Sequence, residues 1–379
     1  MPKFLHIFFI IVIAVGALAL TGINACRSSS PTQSGGGDTT SHNFTWKIDT
    51  LGTQTSYIND VCIINDTDIW VVGEIHNDST DRNDSAGFYL EPFNAAHWDG
   101  AKWNLVRIGW EKMYVDTNKN NSVIVYPMSC VFAFSPTDIW VSGNGQKTLD
   151  YGDGRNWNGI VDNGSYDGGY TKMWGTNDHN MLLGGHNGTL VRWDGKSFNP
   201  ITLDNTNNVE DIYGYMDASG QITEAMCLTS SNSGTNPGTQ LYQYTQSHLY
   251  WEPVNSNLPI AMTSTWFSQG GSYYCVGDGA YKISSFGNNN TWQQMFSTTD
   301  TLSYYVDAIR GNAWNDIVIA GTNGTVGHYN GSSWWRYAEL ANPYDELWRA
   351  DMKNNLIVAV GERYYNGMQR IGVIYMGKR

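Results

Sequence analysis

One short phrase recurs along the chain: an apolar strand ending in glycine, then a hairpin with Trp or Tyr, Asp or Asn, Gly, and another aromatic residue shortly after. The clearest copies are NDTDIWVVG (65–73) with HWDGAKW (97–103), SPTDIWVSG (135–143) with YGDGRNW (151–157), NDHNMLLGG (177–185) with VRWDGKSF (191–198), and WNDIVIAG (314–321) with GHYNGSSW (327–334). The strand-ending glycines, Gly73, Gly143, Gly185, Gly277, Gly321 and Gly361, are spaced 70, 42, 92, 44 and 40 residues apart. A period of 40 to 50 residues holding several short strands is the signature of propeller blades. The 92-residue gap spans two periods and hides a blade in VEDIYGYM (209–216), EAMCLTS (224–230), TQLYQY (239–244) and LYWEPV (249–254). The 70-residue gap is one period plus insertions at about 74–95 and 104–127. The count predicts an all-β, seven-bladed β-propeller with four-stranded antiparallel blades.

The two ends of the chain complete one blade. RIGVIYMGKR (370–379) reads as the third strand of the seventh blade and has no fourth after it, whereas FTWKI (44–48) is a strand without a blade. Trp334 precedes Gly361 by 27 residues and Trp46 precedes Gly73 by 27. The N-terminal strand is therefore expected to close the ring by pairing an edge that would otherwise be open.

The motif residues have structural reasons. Ile-Trp-Val-Val suits a sheet packed between two others. Asp-Gly or Asn-Gly supplies positive φ angles for a tight hairpin, and the following Trp covers apolar surface. Asp68, Asp138 and Asp316 are expected to close turns by bonding to backbone. Because they recur, none of them points to an active site.

Residues 1–25 carry Lys3 and a thirteen-residue apolar run, Phe8 to Leu20, too short to span a bilayer and of the right length for a secretory signal. The segment ends TGINAC, which resembles the lipobox of bacterial lipoproteins. That resemblance implies cleavage before Cys26 and lipidation of its thiol, with Cys26 the only anchor; an ordinary signal peptide cut near Ala25 is the alternative. Residues 26–43 are Ser-, Gly- and Thr-rich, as a flexible tether should be. Residues 44–379 form the propeller, read as a monomer. The net charge of −13 argues against nucleic acid and against electrostatic adhesion to an anionic membrane. Of the remaining cysteines, Cys62, Cys130, Cys227 and Cys275, none is in a CxxC and no zinc spacing exists. A Cys227–Cys275 disulfide and small buried thiols are both compatible with an exported chain.

Each blade's first strand leaves one face, and the loop between its second and third strands returns there. The long segments fall mostly in these loop classes, while the opposite face carries mainly short DG and NG turns. Long loops on a rigid scaffold are where binding lies. The first strands bring Asp60, Lys172, Asp211, Asp307 and Arg349 near the channel mouth. They suit a polar ligand, and they equally suit mutual salt bridges around a water-filled axis. Trp110, Tyr114, Phe88 and Tyr89, in the insertions, either stack on sugar rings or form a small local core. Asp78, Asp81 and Asp84 miss EF-hand spacing, and 116–121 lacks its Gly and bidentate Glu, so both read as solvated loops. No GxSxG, HExxH, phosphate loop or metal pattern occurs, and no cofactor is implied.

The D-I-W-x-x-G … W/Y-D/N-G-x-x-W repeat resembles bacterial propellers of the BNR/Asp-box-like and photosystem-assembly-factor-like group, over residues 44–379. A true Asp-box leaves one residue between Asp and Gly. Here Asp99–Gly100, Asp153–Gly154 and Asp194–Gly195 are adjacent, which argues against a sialidase. The resemblance implies an exported lipoprotein, lipid-anchored to the cell envelope, at the outer membrane. The leading functional reading is a non-enzymatic scaffold binding an envelope protein, a polysaccharide or another polar ligand. A carbohydrate-active enzyme with paired carboxylates on the loop-rich face is the alternative, and a purely structural envelope protein the third.

Overall fold

Seven four-stranded antiparallel sheets stand around one axis, each beginning with the strand nearest it. The computed structural model describes residues 39–379 apart from 86, 88, 110–124, 144–146, 165–168, 232–237, 248–249, 255–256, 260, 287–290, 297–304 and 366–368. The inner strands are Tyr57–Asn65, Met128–Ser135, Tyr170–Asn177, Asn208–Met216, Met262–Phe267, Val306–Ala313 and Asp345–Lys353, for blades 1 to 7. Their second strands are almost wholly buried, as in Asp316–Gly321 of blade 6, because each is covered by neighbouring blades on both faces.

The chain ends meet as expected. Thr45–Leu51 pairs with Gln369–Lys378 over seven residues, from Thr45 opposite Lys378 to Leu51 opposite Gly372. Trp46 lies over Gly377, where a Cβ would stand 2.7 Å from its ring. Before this strand, Thr40 bonds the backbone of Asn315 and Asn330. His42 Nδ1 lies 2.8 Å from His328 Nδ1, and His328 in turn bonds Asp316 at 2.8 Å. Asp316 also receives the guanidinium of Arg379 at 2.6 Å.

The glycine that ends the second strand in six of the seven blades has a cause that the repeat alone does not reveal; blade 4 carries Thr229 there. Each inner strand carries a one-residue β-bulge opposite that position: Asn59, Ser129, Thr171, Glu210, Thr263, Asp307 and Trp348. The bulge pushes the inner strand's backbone toward the second strand. A Cβ on Gly361 would stand 1.8 Å from the Glu346 carbonyl oxygen, and one on Gly73 2.1 Å from that of Tyr57.

Some local expectations are corrected. In the DG hairpins only the glycine takes positive φ, +91° at Gly100 and +83° at Gly154. The Asp instead caps the turn: Asp99 Oδ1 accepts the N–H groups of Ala101 and Lys102. Asp68, Asp138 and Asp316 bond side chains rather than backbone, namely His97, the Trp140 indole and His328. The insertion in blade 1 is shorter than expected, since Asp68–Ile75 and Phe93–Trp98 absorb its ends, and it holds a small ribbon of Arg82–Asn83 with Tyr89–Leu90. Likewise Trp103–Val106 is that blade's outer strand, so the second insertion starts after it. Cys130, Cys227 and Cys275 are free, buried thiols, so Cys227 and Cys275 are not bonded to each other.

One buried carboxyl opposes the fold. Asp150, on the third strand of blade 2, is 3% exposed, and its Oδ1 has no hydrogen-bond partner among the described residues. It pairs with Val141, as Ala96 pairs with Val71 in blade 1. Burial pushes its pKa up to about 7. A carboxyl that the folded state keeps protonated carries no ionisation cost below its unfolded value near 4, and that cost grows as pH rises toward 7. Asp150→Val is therefore expected to raise unfolding stability by about 3 kcal/mol at pH 8, with the gain fading toward pH 4. Urea titrations at the two pH values check it; an equal gain at both would refute the titration argument.

Candidate functional site

The bulges build the site. In the register, each bulge lies near the start of its inner strand, opposite the end of the second strand. This is the face from which the long loops leave. A bulge places two consecutive residues against one on the partner strand and so re-aims a side chain. All seven bulge residues line one basin of about 370 Å³ at the mouth of the axis. Lys172 and Arg349, each next to a bulge residue, join them there, with Tyr57 and Trp348 forming an aromatic wall.

Arg349 forms part of the basin floor. Its guanidinium donates to the Trp348 carbonyl at 2.8 Å and, across the ring, to the Glu210 carbonyl of blade 4 at 3.4 Å. Lys172 Nζ donates to the Thr171 carbonyl at 3.0 Å. Among the described residues neither cation reaches a carboxylate within ion-pair distance. Burial, then the neighbouring Arg349 charge, pull the Lys172 ammonium down to about 8, with Glu210, Asp60 and Asp211 opposing. Asp307 sits at the same level, and its Oδ2 is buried without a hydrogen-bond partner among the described residues. Burial raises it to about 7, against the Arg349 charge and with that of Glu346.

The residue after each bulge occupies a second level, where Asp60, Lys172, Asp211 and Arg349 share one register position. Their fates differ. Asp60 lies below the basin, on a second cavity of about 90 Å³ shared with Arg310 and Asp351. Its Oδ1 accepts the N–H of Val61 at 2.9 Å and its Oδ2 that of Val131, in the next blade, at 3.0 Å. Asp351 repeats this clasp from blade 7 to Ile63 of blade 1. Asp211 repeats it from blade 4 to Thr265 of blade 5. Asp211 also holds Arg310 in a two-pronged ion pair, both contacts at 2.9 Å, and accepts the Ser264 hydroxyl at 2.6 Å. Burial raises the Asp211 carboxyl, but the Arg310 charge and these bonds outweigh it and hold it below the usual carboxylate range.

Of the five axial candidates, then, Lys172, Arg349 and Asp307 meet in the basin. Asp60 and Asp211 are turned to backbone and ion-pair partners that hold adjacent blades together, so mutual salt-bridging accounts for Asp211. Trp110, Tyr114 and Phe88 lie outside the described residues, as do Cys26 and the lipobox. Tyr89 is exposed and donates to Asp81, which also accepts from Thr80 and contacts His76. Glu210, Trp348 and Arg310 were missed. Strict alternation along a strand misplaces any side chain after a bulge, and no residue type announces the bulge; the second strand's terminal glycine is the signal that could have found it in six blades, but not Glu210 in blade 4, which lies opposite Thr229.

No family model matches the chain, and no curated protein matches it. Among solved structures, the chain is similar to one described as YCF48 bound to D1 peptide. They share 15% identity at a TM-score of 0.61, covering 90% of this chain and 99% of that one. It is also similar to the WD40 β-propeller domain of Doa1, with 12% identity, a TM-score of 0.55, and coverage of 89% and 98%. At these identities the likeness shows the seven-bladed propeller fold. It meets the repeat-based resemblance to photosystem-assembly-factor-like propellers at that level.

Proposed function

We propose that this protein is a non-catalytic binding scaffold, lipid-anchored in a bacterial cell envelope, that receives a segment of a partner protein in the axial basin. The observation that carries this reading is the basin itself: seven blades aim their bulge residues into one polar, aromatic-walled hollow on the loop-rich face. Three inward carboxylates, Asp60, Asp211 and Asp351, are spent on backbone N–H groups, which favours binding over a carboxylate-pair hydrolysis. The solved YCF48 structure holds a peptide, as its description states, and supports a polypeptide rather than a glycan as the ligand class.

The docking of residues 39–43 supports the orientation. Thr40 is tied to Asn315 and Asn330, which lie in turns of the plain face. If the Ser/Gly/Thr-rich stretch from Cys26 to Thr39 behaves as a coil, it would span about 20 Å. An anchor at Cys26 would then set the plain face toward the membrane and the basin away from it. Cys26→Ser should release the protein from the membrane fraction or block its processing. A fully processed, membrane-bound Cys26→Ser protein would sink the anchor.

Photocrosslinking in cells tests the binding face. A photoreactive residue at Thr171 or Thr263 should yield a discrete protein adduct identifiable by mass spectrometry. One at Lys102 or Lys196, in turns of the opposite face, should not. Adducts from both faces, or none from the basin, would count against the proposal. Hydrolysis of a glycan by the purified protein would replace it with the enzymatic alternative.

A further inference from the structure

We propose that the basin recognises a carboxylate group of its ligand, clamped between the Lys172 ammonium and the Arg349 guanidinium, with the Asp307 carboxyl as a third contact. This deepens the binding reading above and rests on it. Two neighbouring cations that, among the described residues, donate only to backbone carbonyls are an incomplete arrangement. Each lines the basin and carries more donors than these bonds use, and the Arg349 charge disfavours the Lys172 ammonium. A bound anion relieves both. A planar carboxylate suits the guanidinium fork, and the ammonium supplies a point charge beside it. Its carbon skeleton would lie against Trp348 and Tyr57.

Asp307 and Lys172 both shape the pH response, Asp307 at about 7 and Lys172 at about 8. Asp307 faces Arg349, Glu346 and Tyr305, and shares the basin with Lys172 and Glu210. Ionised, it repels a carboxylate and competes for Arg349. Protonated, it no longer repels the ligand, and its carboxyl, which lines the basin, can donate a hydrogen bond to it. With its pKa raised to about 7 by burial, the neutral form predominates below that pH. Carboxylate binding should therefore be tighter at pH 6 than at pH 8 and draw a proton from the buffer in between.

Calorimetry on the purified full-length protein in detergent tests this with three probes. These are N-acetyl-trialanine with a free C-terminus, its C-terminal amide, and N-acetyl-Ala-Asp-Ala-amide. The free-carboxylate peptide should bind, the neutral amide should bind at least tenfold more weakly, and the Asp peptide tells a chain end from an acidic side chain as the source. Lys172→Met and Arg349→Met should each weaken the free-carboxylate probe about tenfold. Asp307→Asn, which keeps a neutral donor, should narrow the difference between pH 6 and pH 8 and leave the part that Lys172, pulled down to about 8, contributes. Equal affinity for acid and amide, or no binding of either acidic probe, overturns the carboxylate site. So does a pH-independent wild type, or an Asp307→Asn variant that keeps the full pH response. If a methionine variant fails to fold, the acid–amide ratio and the Asp307→Asn profile still decide. A basin-specific protein crosslink alongside any of those failures would leave the binding face standing and remove only the carboxylate.

Discussion

Asp211→Ala is expected to lower unfolding stability by about 3–5 kcal/mol, the usual result of removing one partner of a buried ion pair. The side chain of Asp211 is 3% exposed and that of Arg310 21%, so the stranded guanidinium cannot recover full hydration. The same substitution strips an acceptor from the Thr265 N–H and the Ser264 hydroxyl, loosening blade 4 from blade 5. Because its folded pKa is depressed, the Asp211 contribution is complete above the unfolded value of about 4 and is lost as pH falls below it. Urea denaturation at pH 7 and pH 3 would show a wild-type-to-mutant gap that is smaller at the second than at the first. A double variant, Asp211→Leu with Arg310→Leu, should recover much of the loss, since no charge is left buried. A loss under about 1 kcal/mol in Asp211→Ala would mean that Arg310 turns to Asp351 and that the pair does not hold the ring.

Deleting residues 39–51 should destabilise the propeller by at least about 5 kcal/mol, because two large aromatic side chains leave a packed cluster together. Phe44 is 8% exposed and packs with Trp46, Tyr337 and His328. The deletion also removes the seven-residue pairing with Gln369–Lys378. That strand becomes an open edge, a template for pairing with a second copy. Calorimetry should show a lowered Tm, and light scattering should show concentration-dependent association absent from the intact chain. An unchanged Tm would mean that the N-terminal strand decorates the ring without closing it. Trp46→Ala in the intact chain separates the two contributions, since it removes packing over Gly377 while leaving the strand paired.

The architecture could be read in the chain because it is written locally and repeatedly. The blade count follows from glycine spacing. Closure follows from a strand without a blade at one end and a blade without a strand at the other. The loop-rich face follows from where the long segments fall between strands. Each of these depends on residues near one another in sequence, or on a pattern repeated often enough to correct a single miscount. The weaker local readings failed where side chains had a choice of partners. Asp68, Asp138 and Asp316 precede their strands as turn residues do, yet bond aromatic and imidazole side chains.

The site is another matter. The repeat brings Asp60, Lys172, Asp211, Asp307 and Arg349 to the axis but does not say which face each other. That depends on contacts across the ring, such as Arg349 to Glu210, 139 residues apart, and Arg310 to Asp211, 99 apart. No spacing rule reaches over such separations. Four charged residues that occupy one register position therefore divide between two roles: Asp60 and Asp211 clasp neighbouring blades, while Lys172 and Arg349 are left for the basin. Sequence periodicity determined the ring, its closure and the face that carries the loops. Tertiary structure alone decided which charges are neutralised inside it and which remain open, because that choice is made by neighbours that only the closed ring brings together.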